Sequence, residues 1–173
     1  MANQLSIDTN VLVALVDGKD KWHQHATAIG KAAKEAGAEI VYFDCVINET
    51  VGVLARRLRE QRRANQFASL LSMLQDRLPE TAITWISQDT RRLYREILGV
   101  VGSHMGELNF HDALIALACR DLGIQCIASF DRDFDHVGWL TRVEDPDDLD
   151  RAFPCSDASP ASCHVQGLRA IEG

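Results

Sequence analysis

Four short apolar runs, each separated from the next by a stretch of helical character, constrain this chain more than any other feature. The runs are Leu5-Ser6-Ile7, Ile40 to Phe43, Ala82 to Ile86 and Ile124 to Phe130. Strands this far apart cannot be joined by hairpins. They need crossover connections, and crossovers made of helices produce a mostly parallel sheet with helices packed on its faces. The fold class expected is α/β, a three-layer α/β/α sandwich. Thr141-Arg142-Val143 adds a short fifth strand.

The intervening segments support this. Val11 to Val16 is a compact apolar run that starts a helix after Asp8-Thr9-Asn10, a junction of capping residues. Residues 23–36 are Ala-rich and close at Gly37, which suits a left-handed C′ position. Between Val46 and Gln61, Ile47, Val51, Leu54 and Leu58 mark one helical face. Helices are also expected from Arg63 to Leu74, Thr90 to Leu98 and His111 to Leu122, the last ended by Gly123. Gly99, Gly102, Ser103 and Gly106 read as a flexible connection, and Trp85 reads as core.

At 173 residues the chain holds one domain, assigned to residues 1–145. Residues 146–173 read as a tail, acidic at first and then rich in Ser, Ala and Pro, without regular structure. No apolar run approaches the roughly 18 residues of a membrane span. The N-terminus lacks the charged and apolar regions of a signal peptide. A cytoplasmic protein with no membrane partner is the expectation. The five cysteines are odd in number and show no C-x-x-C pair, which argues against a disulfide framework or a zinc knuckle. The Cys163-His164 pair has no partner ligands of suitable spacing.

A formal charge of −7 looks unfavourable for nucleic acid. Residues 144–173, however, hold seven acids and two bases, so the rest of the chain is close to neutral. Arg56, Arg57, Arg59, Arg62 and Arg63 cluster within it, either as a solvated helix face or as a local basic field.

Four acids occupy matching places in the scheme. Asp8 follows the first strand, Glu49 lies in the first turn of the helix after the second, Asp112 opens the helix before the fourth, and Asp131 follows the fourth. In open parallel sheets, ligands gather beyond the carboxyl ends of the strands. Asp8, Glu49 and Asp131 should therefore share an edge, which Asp112 joins if its helix starts there. Converging carboxylates repel one another unless a cation lies between them. Oxygen-only ligands suit Mg²⁺ or Mn²⁺, ions that activate water against phosphodiesters. Each acid alone also has a capping explanation, because carboxylates favour helix N-termini.

The strings around these acids, Leu5-Ser6-Ile7-Asp8-Thr9-Asn10-Val11-Leu12, Ile47-Asn48-Glu49, Phe110-His111-Asp112-Ala113-Leu114-Ile115-Ala116 and Ser129-Phe130-Asp131-Arg132-Asp133-Phe134, resemble the four motifs of the PIN-domain family. The resemblance is closest to the VapC-type toxin ribonucleases of bacterial toxin–antitoxin systems, and covers roughly residues 4–143. It implies an endoribonuclease that uses Mg²⁺ or Mn²⁺. Asp8 and Asp112 then match the principal metal ligands, Glu49 the second acid, and Asp131 the fourth acidic position, where members vary, so that sharing the role is open to Asp133. Thr9 and Asn10 match polar residues that steady the site. An RNA substrate, a small antitoxin and a homodimer are implied partners. Asp44 stands where the family often has Ser or Thr, and both joining the acids and capping the next helix are open to it.

Other readings compete. Asp8-Thr9-Asn10 is also comparable to the start of an aspartyl-phosphate phosphatase, but that chemistry wants a second acid where Asn10 stands. His23 and His25 are two apart, a spacing that does not share a helix face as zinc ligands would. Trp22, Trp85 and Trp139 are scattered, with no aromatic ladder for bases. A PIN-like binding module without strong catalysis, and a nuclease outside toxin systems that processes DNA or RNA, remain alternatives.

Overall fold

The computed structural model describes residues 3–153. Its sheet has five strands: β1 (Gln4–Ile7), β2 (Glu39–Phe43), β3 (Ile83–Thr84), β4 (Cys126–Ala128) and β5 (Thr141–Val143). They lie in the order β3-β2-β1-β4-β5, and every neighbouring pair is parallel. Leu5 pairs with Ile40 on one side and Cys126 on the other, so β1 is the central strand. Its Leu5, Ser6 and Ile7 are all buried, as expected for a strand covered on both faces.

The helices follow from the order of the strands. From β1 to β2 and on to β3 the chain moves one way across the sheet, and from β3 to β4 it turns back past β1. Right-handed crossovers then put the first group of helices on one face and the second on the other. The packing agrees. Helix α1 (Thr9–Val16) contacts α2 (His23–Glu35), α3 (Asp44–Glu60) and α4 (Phe67–Arg77), while α5 (Thr90–Ser103) packs on α6 (Phe110–Leu122). The result is the expected three-layer α/β/α architecture. The core runs through both interfaces, with Phe43, Leu54, Leu114 and Phe134 fully enclosed.

Several local expectations need correction. The third strand is only Ile83–Thr84, and Trp85, read as core, is 54% exposed just beyond it. Helix α5 runs through Gly99 and Gly102 to Ser103, where a flexible connection was expected. Its inward stripe of Leu93 and Ile97 packs on α6, and tertiary packing outweighs the roughly 1 kcal/mol helix cost of each glycine. The buried face of α3 is Val46, Thr50, Leu54 and Leu58, with Ile47 and Val51 only half-buried. Gly37 and Gly123 adopt the left-handed conformation, at φ +65° and +74°, that ends α2 and α6.

Beyond residue 145 the chain does not become irregular at once. Asp148–Ala152 forms a short helix, α7, whose Leu149 is buried and which packs on β5. The Ser/Ala/Pro-rich stretch and the Cys163-His164 pair lie outside the described residues. Among the described residues, no helix is long and apolar enough to cross a membrane.

Candidate metal and nuclease site

The strand order reverses between β1 and β4, and at such a switch point the carboxyl ends of two strands open a crevice. Asp8 sits at the end of β1. Its N–H donates to Ala128 O at 3.0 Å, which holds it against the end of β4. It is also the N-cap of α1, with Oδ1 accepting from Thr9 N at 2.6 Å. Capping therefore accounts for one oxygen. The other, Oδ2, accepts from Asn10 Nδ2 at 2.5 Å and from the Ser129 hydroxyl at 2.7 Å.

Ser129 is the residue that sequence reasoning misses, since the fourth motif includes it without giving it a role. Fully buried just past β4, its Oγ donates to Asp8, and also accepts from Asp131 N at 3.0 Å and Asn10 Nδ2 at 3.2 Å. The signal available was its place before Phe130-Asp131 at a strand end. Asn10 completes the network, its Oδ1 accepting from Phe130 N at 3.1 Å. The two strand ends are thereby locked together.

The second acid, Glu49, lies on α3. Its Oε2 accepts from Thr9 Oγ1 at 3.0 Å, and His111 Nδ1 stands 4.0 Å away. Helix α6 does begin at this edge. Asn109 and Asp112 form a capping box in which Asp112 Oδ2 accepts from Asn109 N at 2.9 Å. Capping again occupies one oxygen of a buried acid. Asp131 and Asp133 project from a 3₁₀ turn over Arg132–His136, where Asp131 Oδ1 accepts from Asp133 N at 3.0 Å. Phe134, wholly buried, anchors that turn; enclosing a phenyl ring stabilises by about 2–3 kcal/mol. Arg142 braces it from β5, bonding Asp135 at 2.7 and 3.0 Å, Glu144 at 2.9 Å and Ser129 O at 3.2 Å.

The structure thus brings Asp8, Glu49, Asp112, Asp131 and Asp133 into one electrostatic neighbourhood. Asp8 is 5% exposed and Asp112 8%. Burial pushes the Asp8 carboxyl up to about 7, with Asp112 and Glu49 adding like-charge repulsion against the pull of the Ser129 and Thr9 hydrogen bonds. Burial likewise pushes Asp112 up to about 6, reinforced by Glu49, Asp131 and Asp133. Among the described residues, no Lys or Arg pairs with any of the five acids. Nor do three His, Cys, Asp or Glu side chains stand close enough to form a ready-made metal cage.

Asp44 takes no part. Its Oδ1 accepts from Ile86 N at 2.8 Å, and both oxygens lie 3.3 Å from Ser87 N, so it ties α3 to the turn after β3. The arginine cluster divides. Arg63 makes a bidentate pair with Asp17 at 2.7 and 2.9 Å, and Arg57 bonds Asp20 at 2.7 Å. Arg56, Arg59 and Arg62 remain exposed. His23 and His25 turn to different carbonyls, Ala14 O and Glu144 O. The tryptophans do not pair with one another among the described residues, but Trp22 stacks on Phe130, with ring centroids 5.0 Å apart and planes 22° from parallel. Sequence distance hid this pair.

Residues 5–140 match the family model described as PIN domain, a span that includes all five acids. The chain belongs to the PIN-domain family. Solved structures that share its fold include the following two. One is Mycobacterium tuberculosis VapC20, a Sarcin-Ricin loop cleaving toxin, at TM-score 0.59 and 21% identity, with 79% of this chain and 96% of that chain covered. The other is VapBC2 from Rickettsia felis, bound to a DNA fragment from their promoter, at TM-score 0.56 and 17% identity, covering 81% and 97%. Among curated proteins no match was found. In this PIN domain, Asp8 and Asp131 follow the ends of β1 and β4, where the order of the parallel strands reverses.

Proposed function

We propose that this PIN-domain protein is an endoribonuclease dependent on Mg²⁺ or Mn²⁺, and the toxin of a toxin–antitoxin pair. The observation that carries the reading is the buried acid pair Asp8 and Asp112, flanked by Glu49, Asp131 and Asp133 and lacking any paired Lys or Arg among the described residues. Such a cluster is costly for a fold to keep unless a cation offsets it. The donor set is all oxygen, which fits a hard divalent ion rather than zinc. Asp8, Asp112 and Glu49 would hold it, with Asp131 or Asp133 as the fourth acid. When bound, such an ion activates water and stabilises the leaving oxygen of a phosphodiester.

The chain's own groups orient this apparatus. Ser129 and Asn10 fix the Asp8 carboxylate, Thr9 fixes Glu49, and the Asn109 N–H fixes Asp112. Hydrogen bonds of this kind set the direction of ligand lone pairs. The likeness to VapC20, a Sarcin-Ricin loop cleaving toxin, supports RNA as the substrate, and the likeness to VapBC2 supports an antitoxin partner. A homodimer is part of the same proposal.

The test is cleavage of single-stranded RNA, duplex DNA and flap DNA side by side, with and without Mg²⁺ or Mn²⁺, by wild type and Asp8→Asn. Metal-dependent cutting of RNA alone, lost in the variant, is the expected result. Partner binding without any cutting would instead establish a binding module. Co-purification from the native cell, followed by mapping of cleaved RNA ends, tests the antitoxin and names the target.

A further inference from the structure

We infer that Trp22, stacked on Phe130, is a platform for an unpaired nucleobase next to the acid cluster; the inference rests on the ribonuclease reading. Trp22 is 40% exposed at the start of α2, where no core requirement explains so large an apolar ring. One side of the ring is backed by Phe130, and His25 closes the group at centroid distances of 5.9 Å from Trp22 and 5.7 Å from Phe130. The Lys21 ammonium lies 5.2 Å from the Trp22 centroid.

The platform is tied to the site. Phe130 N–H donates to Asn10 Oδ1, and Asn10 Nδ2 donates to Asp8. Phe130 also lies between Ser129, which holds Asp8, and Asp131. A strand with its phosphodiester at the acids passes this spot with an adjacent nucleotide. The main chain beneath Trp22 is pinned as well, because the Trp22 backbone N–H donates to Asp20 Oδ1 at 2.8 Å while Arg57 bonds Asp20 Oδ2, and stacking on Phe130 orients the indole itself. The rings are therefore preorganised, which lowers the entropy cost of binding.

Local charge favours stacking as the means of recognition. Asp145 Oδ1 lies 3.2 Å from His25, Asp131 follows Phe130 in sequence, and Asp20 beneath Trp22 is matched by Arg57, so the spot carries no net positive field to draw a phosphate. Stacking on an aromatic face needs no positive field and accepts any base with an open face. A paired base offers no such face, so the platform selects single-stranded or looped RNA. Lys21, on a flexible stem, can leave the ring to a base and meet the adjoining phosphate.

The test is fluorescence anisotropy of a labelled single-stranded RNA with the full chain in Mg²⁺, using an Asp112→Asn background so that the RNA stays intact. Trp22→Ala and Trp22→Leu should weaken binding by about 5- to 150-fold, the range of one lost base stack, while Trp22→Phe stays within about threefold. An abasic site walked along the RNA should weaken binding at one position, and have no further effect there in Trp22→Ala. Thermal melts check that each variant folds. Affinity left unchanged by both Trp22→Ala and Trp22→Leu overturns the platform, as does equal loss in Trp22→Phe and Trp22→Leu with no abasic effect. If RNA binds and is cut by the otherwise wild-type chain in those cases, the ribonuclease reading stands without the platform. If the otherwise wild-type chain neither binds nor cuts RNA, both fall.

Discussion

The Ser129 hydroxyl donates to Asp8 Oδ2 over 2.7 Å across 121 positions of sequence. This one bond joins the end of β1 to the end of β4 and sets the direction of the most buried acid at the crevice. Ser129→Ala should therefore act mainly on the site. It removes a donor that favours the charged carboxylate, so the Asp8 carboxyl rises further above its ordinary range. Mn²⁺ affinity should fall about 10- to 100-fold, the usual effect of losing a ligand's supporting hydrogen bond. Calorimetric Mn²⁺ titration beside RNA cleavage checks this, and unchanged affinity would remove Ser129 from the site.

Asp8→Asn and Asp112→Asn should each lower RNA cleavage by about 10²-fold or more, the scale of losing a group that stabilises developing charge. Both proteins should keep their circular dichroism spectra. In metal-free buffer each should melt at the same temperature as wild type or higher, because one mutually repelling charge is gone. A folded variant that still cuts RNA at the wild-type rate, in a nuclease-free preparation, contradicts the assignment.

The pH dependence has a definite sign. Burial raises the folded-state carboxyls of Asp8 to about 7 and Asp112 to about 6. Between the ordinary carboxylate range and those values, the folded chain binds more protons than the unfolded one. Stability from these groups is complete at low pH and is lost as pH rises through 6 and 7. Asp17 and Asp135, held low by Arg63 and Arg142, act in the opposite direction, but below the ordinary carboxylate range. Urea melts of metal-free protein from about pH 4.5 to 8 should show a decline of about 5 kcal/mol, at roughly 1.4 kcal/mol for each of the about four pK units the two groups span in that window. Millimolar Mn²⁺ should flatten it by binding the folded state. A decline that persists undiminished in the Asp8→Asn, Asp112→Asn double variant would trace to other groups.

Arg63→Ala should destabilise by about 2–4 kcal/mol, because it leaves the buried Asp17 carboxylate without its bidentate partner. Replacing exposed Arg56 or Arg59 by alanine should change stability by less than about 0.5 kcal/mol. Denaturant melts of the three variants separate an arginine that holds the fold from those that only add surface charge.

Much of this architecture is legible in the sequence because its signals are local. Apolar runs ending at Asp8 and before Asp131, and glycines at positions 37 and 123, each follow from neighbours within a few residues. What failed was local reasoning about groups whose partners are distant. Gly99 and Gly102 read as a break until α6 packs against α5. Trp85 reads as core by its apolarity, yet it lies beyond a two-residue edge strand with nothing to cover it among the described residues. Asp44 left two roles open, and the turn at Ile86 and Ser87 supplies a third.

By itself, the sequence determined the α/β class, the helix caps and the four motifs, because backbone propensity and hydrophobic period act over a few residues. Tertiary structure alone decided which acids feel one another's charge, that Ser129 bonds Asp8, and that Trp22 stacks on Phe130. These depend on strand order. Placing β4 beside β1 brings residues more than a hundred positions apart within hydrogen-bonding reach, and no local pattern encodes that adjacency.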